Sequence, residues 1–136
     1  SQTIRMVSYV GKRAPVHCTA LGKVLLAYLS EEERKKILDK NGLPRLTENT
    51  IIDERELKKE LCNVREQGFA LDREEHERDV CCIAAPIRNH QGKVIAAVSI
   101  SGPAFRIDID KQVNLKEALI QTSKKISKRL GYNEVV

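Results

Sequence analysis

The sequence predicts a single α+β domain in which helices flank a mostly antiparallel sheet. Three observations point there. Amphipathic helical stripes occupy the first half and the C-terminal end of the chain. Two strand-like runs, VCCIAAPIRN and KVIAAVSIS, are joined by the turn-forming NHQG, as in an antiparallel hairpin. The length of 136 residues suits one core. With 41% hydrophobic and 32% charged residues of interspersed sign, the composition is that of an ordinary globular protein rather than a disordered one.

From the N-terminus, TIRMVSYVGKRAPVH reads as a strand, a turn at Gly11-Lys12 and a second extended piece before Pro15. TALGKVLLAYLS spaces Leu21, Val24, Leu25, Tyr28 and Leu29 along one helical stripe, the expected buried face, with Thr19 as N-cap. Ser30 and Glu33 form a capping-box pattern that opens EEERKKILDKN, stopped by Gly42 and Pro44. LPRLTENTII reads as a loop or short strand. Asp53 with Glu56 gives a cap-like pattern for ERELKKELCNVREQ, in which Leu57, Leu61 and Val64 share a face beside Cys62; Gly68 ends it. Three extended segments follow, GFALDREEHE and then the two hairpin runs. DIDKQVNLKEALIQTSKKISKRLG is a long helix with Leu115, Leu119, Thr122, Ile126 and Leu130 along one side.

Composition also narrows the partners. A net charge of +5 suggests nucleic acid, but the five aromatic residues (Tyr9, Tyr28, Tyr132, Phe69, Phe105) are too few and scattered for a stacking platform. Basic residues mostly alternate with acidic ones, and KKISKR at 124–129 reads as a solvated helix face. No apolar run approaches the roughly 20 residues of a membrane span, and SQTIRMVSYV lacks a signal-peptide layout. No membrane partner, a cytoplasmic location and reduced thiols are therefore expected. Cys18, Cys62, Cys81 and Cys82 match no common zinc or disulfide spacing.

Strand parity separates the vicinal thiols. Cys82, Ala84 and Pro86 share one face of their strand, and Cys81, Ile83, Ala85 and Ile87 share the other. The partner strand divides into Ala97, Ser99 and Ser101 against Val98 and Ile100. A small, polar face leaves room for a small molecule, or packs on a helix with its serines satisfied by backbone. Asp72 in FALDREE has two readings, a partner for a ligand hydroxyl or strand-end turn chemistry. The helix start at Thr19, with small Ala20 and Gly22, offers free N–H groups to a carboxylate, as any helix start does. Two rival chemistries use other groups. A cysteine enzyme with Cys82 as nucleophile needs His17, His76 or His90 as base, and none sits in a recognisable nucleophile motif. A zinc site would draw on His17, Cys18, His76 and Cys82, at irregular spacing. His90 in NHQG reads as an exposed turn residue.

The runs VHCTALGKVLLAYLS, GFALDREEHERDVCCIAAPI and VIAAVSISGPAFRI, in that order, resemble the effector-binding domain of the IclR family of bacterial transcriptional regulators. The resemblance covers nearly the whole chain, and CIAAPI…SISGP after LDREEHE is its specific part. It implies a GAF/PAS-like antiparallel sheet flanked by helices, and a small carboxylic-acid effector bound in a cup on that sheet. It implies no enzymatic activity and no cofactor. Residues 1–136 would form one effector-binding domain, assembling as a homo-oligomer (dimer or tetramer). The family's N-terminal winged helix-turn-helix, which binds operator DNA, would be absent from this chain. The same resemblance gives Ala20 and Leu21 the effector carboxylate through their N–H groups. It makes Asp72, Cys82, Ser99 and Ser101 the polar lining, and Met6 with Val80 the apolar wall. The chain departs from the family pattern at Asp79, where glycine is frequent, at Cys81 before the pocket cysteine, and at Leu21, which is bulkier than its counterpart in some members.

Overall fold

A computed structural model describes residues 8–107 and 113–134. Helices α1 (Ala20–Ala27), α2 (Glu31–Asn41) and α3 (Glu54–Gln67) precede strands β1 (Ala70–Arg73), β2 (Val80–Arg88) and β3 (Val94–Pro103), and α4 (Val113–Arg129) follows. The three strands pair antiparallel in the order β1-β2-β3. The architecture is α+β, as predicted.

Local chemistry fixes the helix ends. Thr19 accepts the Gly22 N–H at the start of α1, Ser30 and Glu33 close a reciprocal capping box on α2, and the Asp53 carboxylate accepts from Arg55 on α3. Gly68 ends α3 in the left-handed region. LPRLTENTII is a loop, not a strand. Between β2 and β3 the Asn89 side chain accepts the N–H groups of Gln91 and Lys93, closing the predicted NHQG turn.

The sheet separates two apolar layers. On one face Ala20, Val24 and Ala27 of α1 and Leu57, Leu61 and Val64 of α3 pack with Ala70 and Ala84; on the other, Ile83 and Ala85 pack with Leu119 of α4. Each fully buried leucine or valine contributes about 1.5–3 kcal/mol. Strand parity thus holds: Cys82 joins the α1–α3 layer, while Ile83 and Ala85 face α4.

Three expectations are corrected. The buried side of α1 is not the leucine stripe: Leu21 and Leu25 are 40% and 38% exposed, and Lys23 is buried instead. A helix seated on small sheet residues turns its small side, Ala20 and Ala27, to the sheet, because that brings the backbones closest. On α4 the buried line runs through Leu119, Ser123 and Ser127, with Thr122 and Leu130 exposed. Ser127 meets an edge demand of the sheet, its hydroxyl accepting the Arg88 N–H at 2.9 Å. GFALDREEHE is extended only over β1, because Glu74 (φ 56°) and Asp79 (φ 64°) turn the chain into a loop. The long C-terminal helix is present over Val113–Arg129, and the start expected for it at 108–112 lies outside the described residues. The predicted N-terminal strand lies for the most part outside the described residues, although a turn at Val10–Gly11 is present, with Lys12 N–H donating to the Tyr9 carbonyl.

Candidate functional site

The ladder aligns three of the predicted residues across the sheet. Asp72 of β1 stands opposite Cys82 of β2, and Cys82 opposite Ser101 of β3. One step along, Ala84 pairs with Ser99. Directly opposed residues of an antiparallel pair share a face, so Asp72, Cys82, Ser99 and Ser101 all project towards the α1–α3 side. The Ser101 hydroxyl donates to the Cys82 sulfur at 2.9 Å. Val80 has the same parity and is buried opposite Pro103. Ala20 is buried at the start of α1 on this face, whereas the Leu21 side chain points outward. The Ala20 and Leu21 N–H groups have no acceptor within their own helix, since both lie in its first turn. Met6 lies outside the described residues.

Asp72 is a buried carboxylate, 2% exposed. Burial pushes its pKa up to about 6, with the neighbouring Glu75 charge adding to the rise; backbone N–H donors and the Lys23 charge act against it. Its Oδ1 accepts the Glu75 N–H at 2.8 Å, so turn chemistry is one real role of this residue. An ionised carboxylate has further acceptor capacity, which leaves lone pairs for a second partner. Gly22, read from the sequence as space for a ligand, is small for an internal reason. A Cβ there would lie 2.4 Å from the Val16 Cα.

Sequence reasoning missed the strongest polar feature near this face. Lys23, 1% exposed, reaches Glu75 with Nζ 2.9 Å from Oε1 and 3.0 Å from Oε2. The Glu75 carboxylate also accepts the Arg73 N–H, and its carbonyl accepts the Thr50 hydroxyl at 2.6 Å. The signal was present: a charged residue inside the apolar run TALGKVLLAYLS, three residues after Ala20 on the sheet-facing side, requires a buried partner.

The rival chemistries are not assembled. His17 Nε2 is taken up by the Pro44 carbonyl at 2.9 Å, and His76 lies beside Glu77. Among the described residues no group of three or more His, Cys, Asp or Glu is placed to hold a metal. The set His17, Cys18, His76 and Cys82 is therefore not brought together. Burial raises the Cys82 thiol to about 11 and the Cys18 thiol to about 12, and also raises Cys81. Thiols in that range are protonated at neutral pH and are poor nucleophiles.

A cleft of about 610 Å³ lies elsewhere, lined by Tyr28, Arg65, Arg88, Lys124, Lys128 and Tyr132 among others. None of the predicted effector-binding residues lines it, although Pro86, which shares a strand face with Cys82, does. The C-terminal ends of α1, α3 and α4 converge there, and Arg65 donates to the Ala27 carbonyl at 2.8 Å. Its cations match the negative ends of three helices.

Comparison with known proteins settles the family. Residues 1–128 match the family described as bacterial transcriptional regulator IclR C-terminal. The chain belongs to the IclR family. It is 42% identical over 125 residues to the HTH-type transcriptional regulator XynR of Escherichia coli K12, covering 92% of this chain and 50% of XynR. The crystal structure of the C-terminal domain of E. coli KdgR matches with a TM-score of 0.83 at 41% identity, covering 90% of this chain and 74% of that one. A double mutant of the PobR inducer-binding domain from Acinetobacter, solved as a 3-hydroxybenzoic acid complex, matches with a TM-score of 0.79 at 35% identity, covering 90% and 70%. The chain spans about half the length of the curated relatives it matches. The fold agrees with the GAF/PAS-like arrangement that the IclR resemblance implies. The departure at Asp79 also has a physical reading: its φ of 64° lies where glycine is at ease and where aspartate is among the better-tolerated alternatives. No described helix is long and apolar enough to cross a membrane.

Proposed function

We propose that this IclR domain senses a small carboxylic acid on the sheet face that carries Asp72, Cys82, Ser99 and Ser101. The observation that carries the reading is the cross-strand row Asp72–Cys82–Ser101 beneath the start of α1. The N–H groups of Ala20 and Leu21 hold the carboxylate at the positive end of that helix. Asp72 and the two serines bind the effector's hydroxyl or keto oxygen, Cys82 and Val80 give the site its apolar body, and Met6 completes the wall. The PobR domain, matched as a complex with an aromatic hydroxy acid, supports this ligand class.

The domain works in a cytoplasmic homo-oligomer, dimer or tetramer, whose operator contacts are made by a helix-turn-helix portion outside these 136 residues. Effector occupancy regulates by favouring one subunit arrangement, so the ligand must bind that arrangement better than the alternative; equal affinity shifts nothing. The protein is a binding module rather than an enzyme, in keeping with the regulator names of its relatives.

Calorimetry with pyruvate, lactate, gluconate and 3-hydroxybenzoate tests the reading on wild type, Asp72→Asn and Ser99→Ala. At least one acid is expected to bind, and each substitution to weaken it about tenfold, the loss of one good hydrogen bond to a charged or buried partner. Binding that survives both substitutions unchanged contradicts the site.

A further inference from the structure

We infer that the buried Lys23–Glu75 ion pair is a positioning device for effector recognition, locking the start of α1 and the Asp72 carboxylate into one fixed relation. The inference rests on the carboxylate-sensing reading above. Lys23 lies three residues beyond Ala20 in the first turn of α1, and Glu75 three residues beyond Asp72 in the loop after β1. Their side chains are 1% and 9% exposed and meet at 2.9 Å, with Glu60 Oε1 a further 3.9 Å from the ammonium. Glu75 then grips the strand end twice. Its own N–H donates to Asp72 Oδ1 at 2.8 Å, and its Oε2 accepts the Arg73 N–H at 3.0 Å. The loop is anchored from behind as well, because Thr50 donates to the Glu75 carbonyl and Thr47 to the Glu74 carbonyl. Neither the helix start nor Asp72 can shift without breaking a bond in this chain.

Stability alone does not account for a lysine at this position. A buried ion pair is often no better than an apolar pair of the same volume. A cation in the first helical turn is also opposed by the helix dipole. What the ammonium adds is positive charge beside the helix N-terminus and beside Asp72, whose carboxyl it draws downward along with the Cys18 thiol. An ionised Asp72 accepts from an effector hydroxyl, and the bonded chain holds that acceptor in a fixed relation to the Ala20 and Leu21 N–H groups.

The test measures the Kd of the tightest binder among pyruvate, lactate, gluconate and 3-hydroxybenzoate, well below each variant's melting temperature. Lys23→Met alone leaves a buried carboxylate without its cation and is expected to unfold the chain. The working variant is therefore Lys23→Met/Glu75→Gln, which keeps an acceptor for the Arg73 N–H. Glu75→Asp, which keeps both charges and shortens the arm by one methylene, is the second. The folded double variant is expected to bind about tenfold more weakly, and Glu75→Asp at least about threefold more weakly. In an Asp72→Asn background the double variant's loss shrinks to less than about twofold, because residues acting through one contact are not additive. A folded double variant and a folded Glu75→Asp that bind like wild type, while Asp72→Asn binds weakly, overturn the positioning role alone. An equal loss in both backgrounds also overturns it, reducing the pair to a structural element. No binding by any of the four acids, or no effect of Asp72→Asn, overturns the sensing reading and this inference with it.

Discussion

Ser101 and Cys82 face each other across the β2–β3 ladder, and the serine hydroxyl donates to the cysteine sulfur at 2.9 Å. A sulfur held this way is a weak acceptor with a protonated thiol, because burial pushes it up to about 11 despite the serine's stabilisation of the thiolate. Relative to an ordinary thiol near 9, its thiolate fraction at pH 7.5 falls roughly 100-fold. Iodoacetamide should therefore label Cys82 at least about tenfold more slowly than a free thiol in the same buffer, followed by peptide mass spectrometry. Selective rapid labelling of Cys82 would instead point to an activated nucleophile.

Asp72 gives a pH prediction. Its folded pKa, about 6, lies above the 3.8 of an ordinary aspartate. Between those values the folded state holds the proton more tightly than the unfolded state. Stability from this group is thus fully present below about pH 4 and is lost as pH rises through about 6. Asp72→Asn removes that loss, so its stability relative to wild type should improve by about 2 kcal/mol from pH 4 to pH 7. Urea melts at the two pH values check it; a constant difference contradicts the buried, proton-holding carboxylate.

Gly22 tests how closely α1 packs on the segment before it. A Cβ at this position would stand 2.4 Å from the Val16 Cα and 2.6 Å from the Thr19 hydroxyl that caps the helix. Gly22→Ala is expected to cost about 3 kcal/mol through overpacking and a strained cap, read as a fall in denaturation midpoint. An unchanged midpoint would show that the helix start has room to move.

Asp79 offers the opposite case. Its φ of 64° is costly for a side chain and free for glycine, while its backbone bonds to Glu74 Oε1 and Ala104 need no side chain of their own. Asp79→Gly should stay within about 0.5 kcal/mol of wild type, because relief of strain offsets glycine's entropy cost. Asp79→Val should lose about 1–2 kcal/mol. Equal stability of the two variants in thermal melts would contradict the left-handed turn.

The parts legible in the sequence were those governed by short-range rules. Ser30 with Glu33, Asp53, Gly68 and NHQG act within four residues, so their spacing carries the answer. Alternation in VCCIAAPIR and VIAAVSISGP was enough to separate Cys81 from Cys82 and to put Ser99 and Ser101 on one face of their own strand, while the pairing of Cys82 with Ser101 came from the ladder. What failed depended on the partner surface. The leucines at 21 and 25 outrank Ala20 and Ala27 in hydrophobicity, yet a sheet face of alanine and cysteine accepts the small side of the helix. Ser127 of α4 is buried by a strand-edge N–H that no helical periodicity announces. Lys23 and Glu75 lie 52 residues apart, and their pairing became visible only with the fold.

The most direct test of the central claim is an amide chemical-shift titration of the isotope-labelled chain with 3-hydroxybenzoate, repeated with pyruvate, lactate and gluconate. Saturable shifts concentrated at Ala20, Leu21, Asp72, Cys82, Ser99 and Ser101 are the predicted result. Saturable shifts confined to Arg88, Lys128 and Tyr132 in the cleft between α3 and α4, with the sheet face silent, would contradict it.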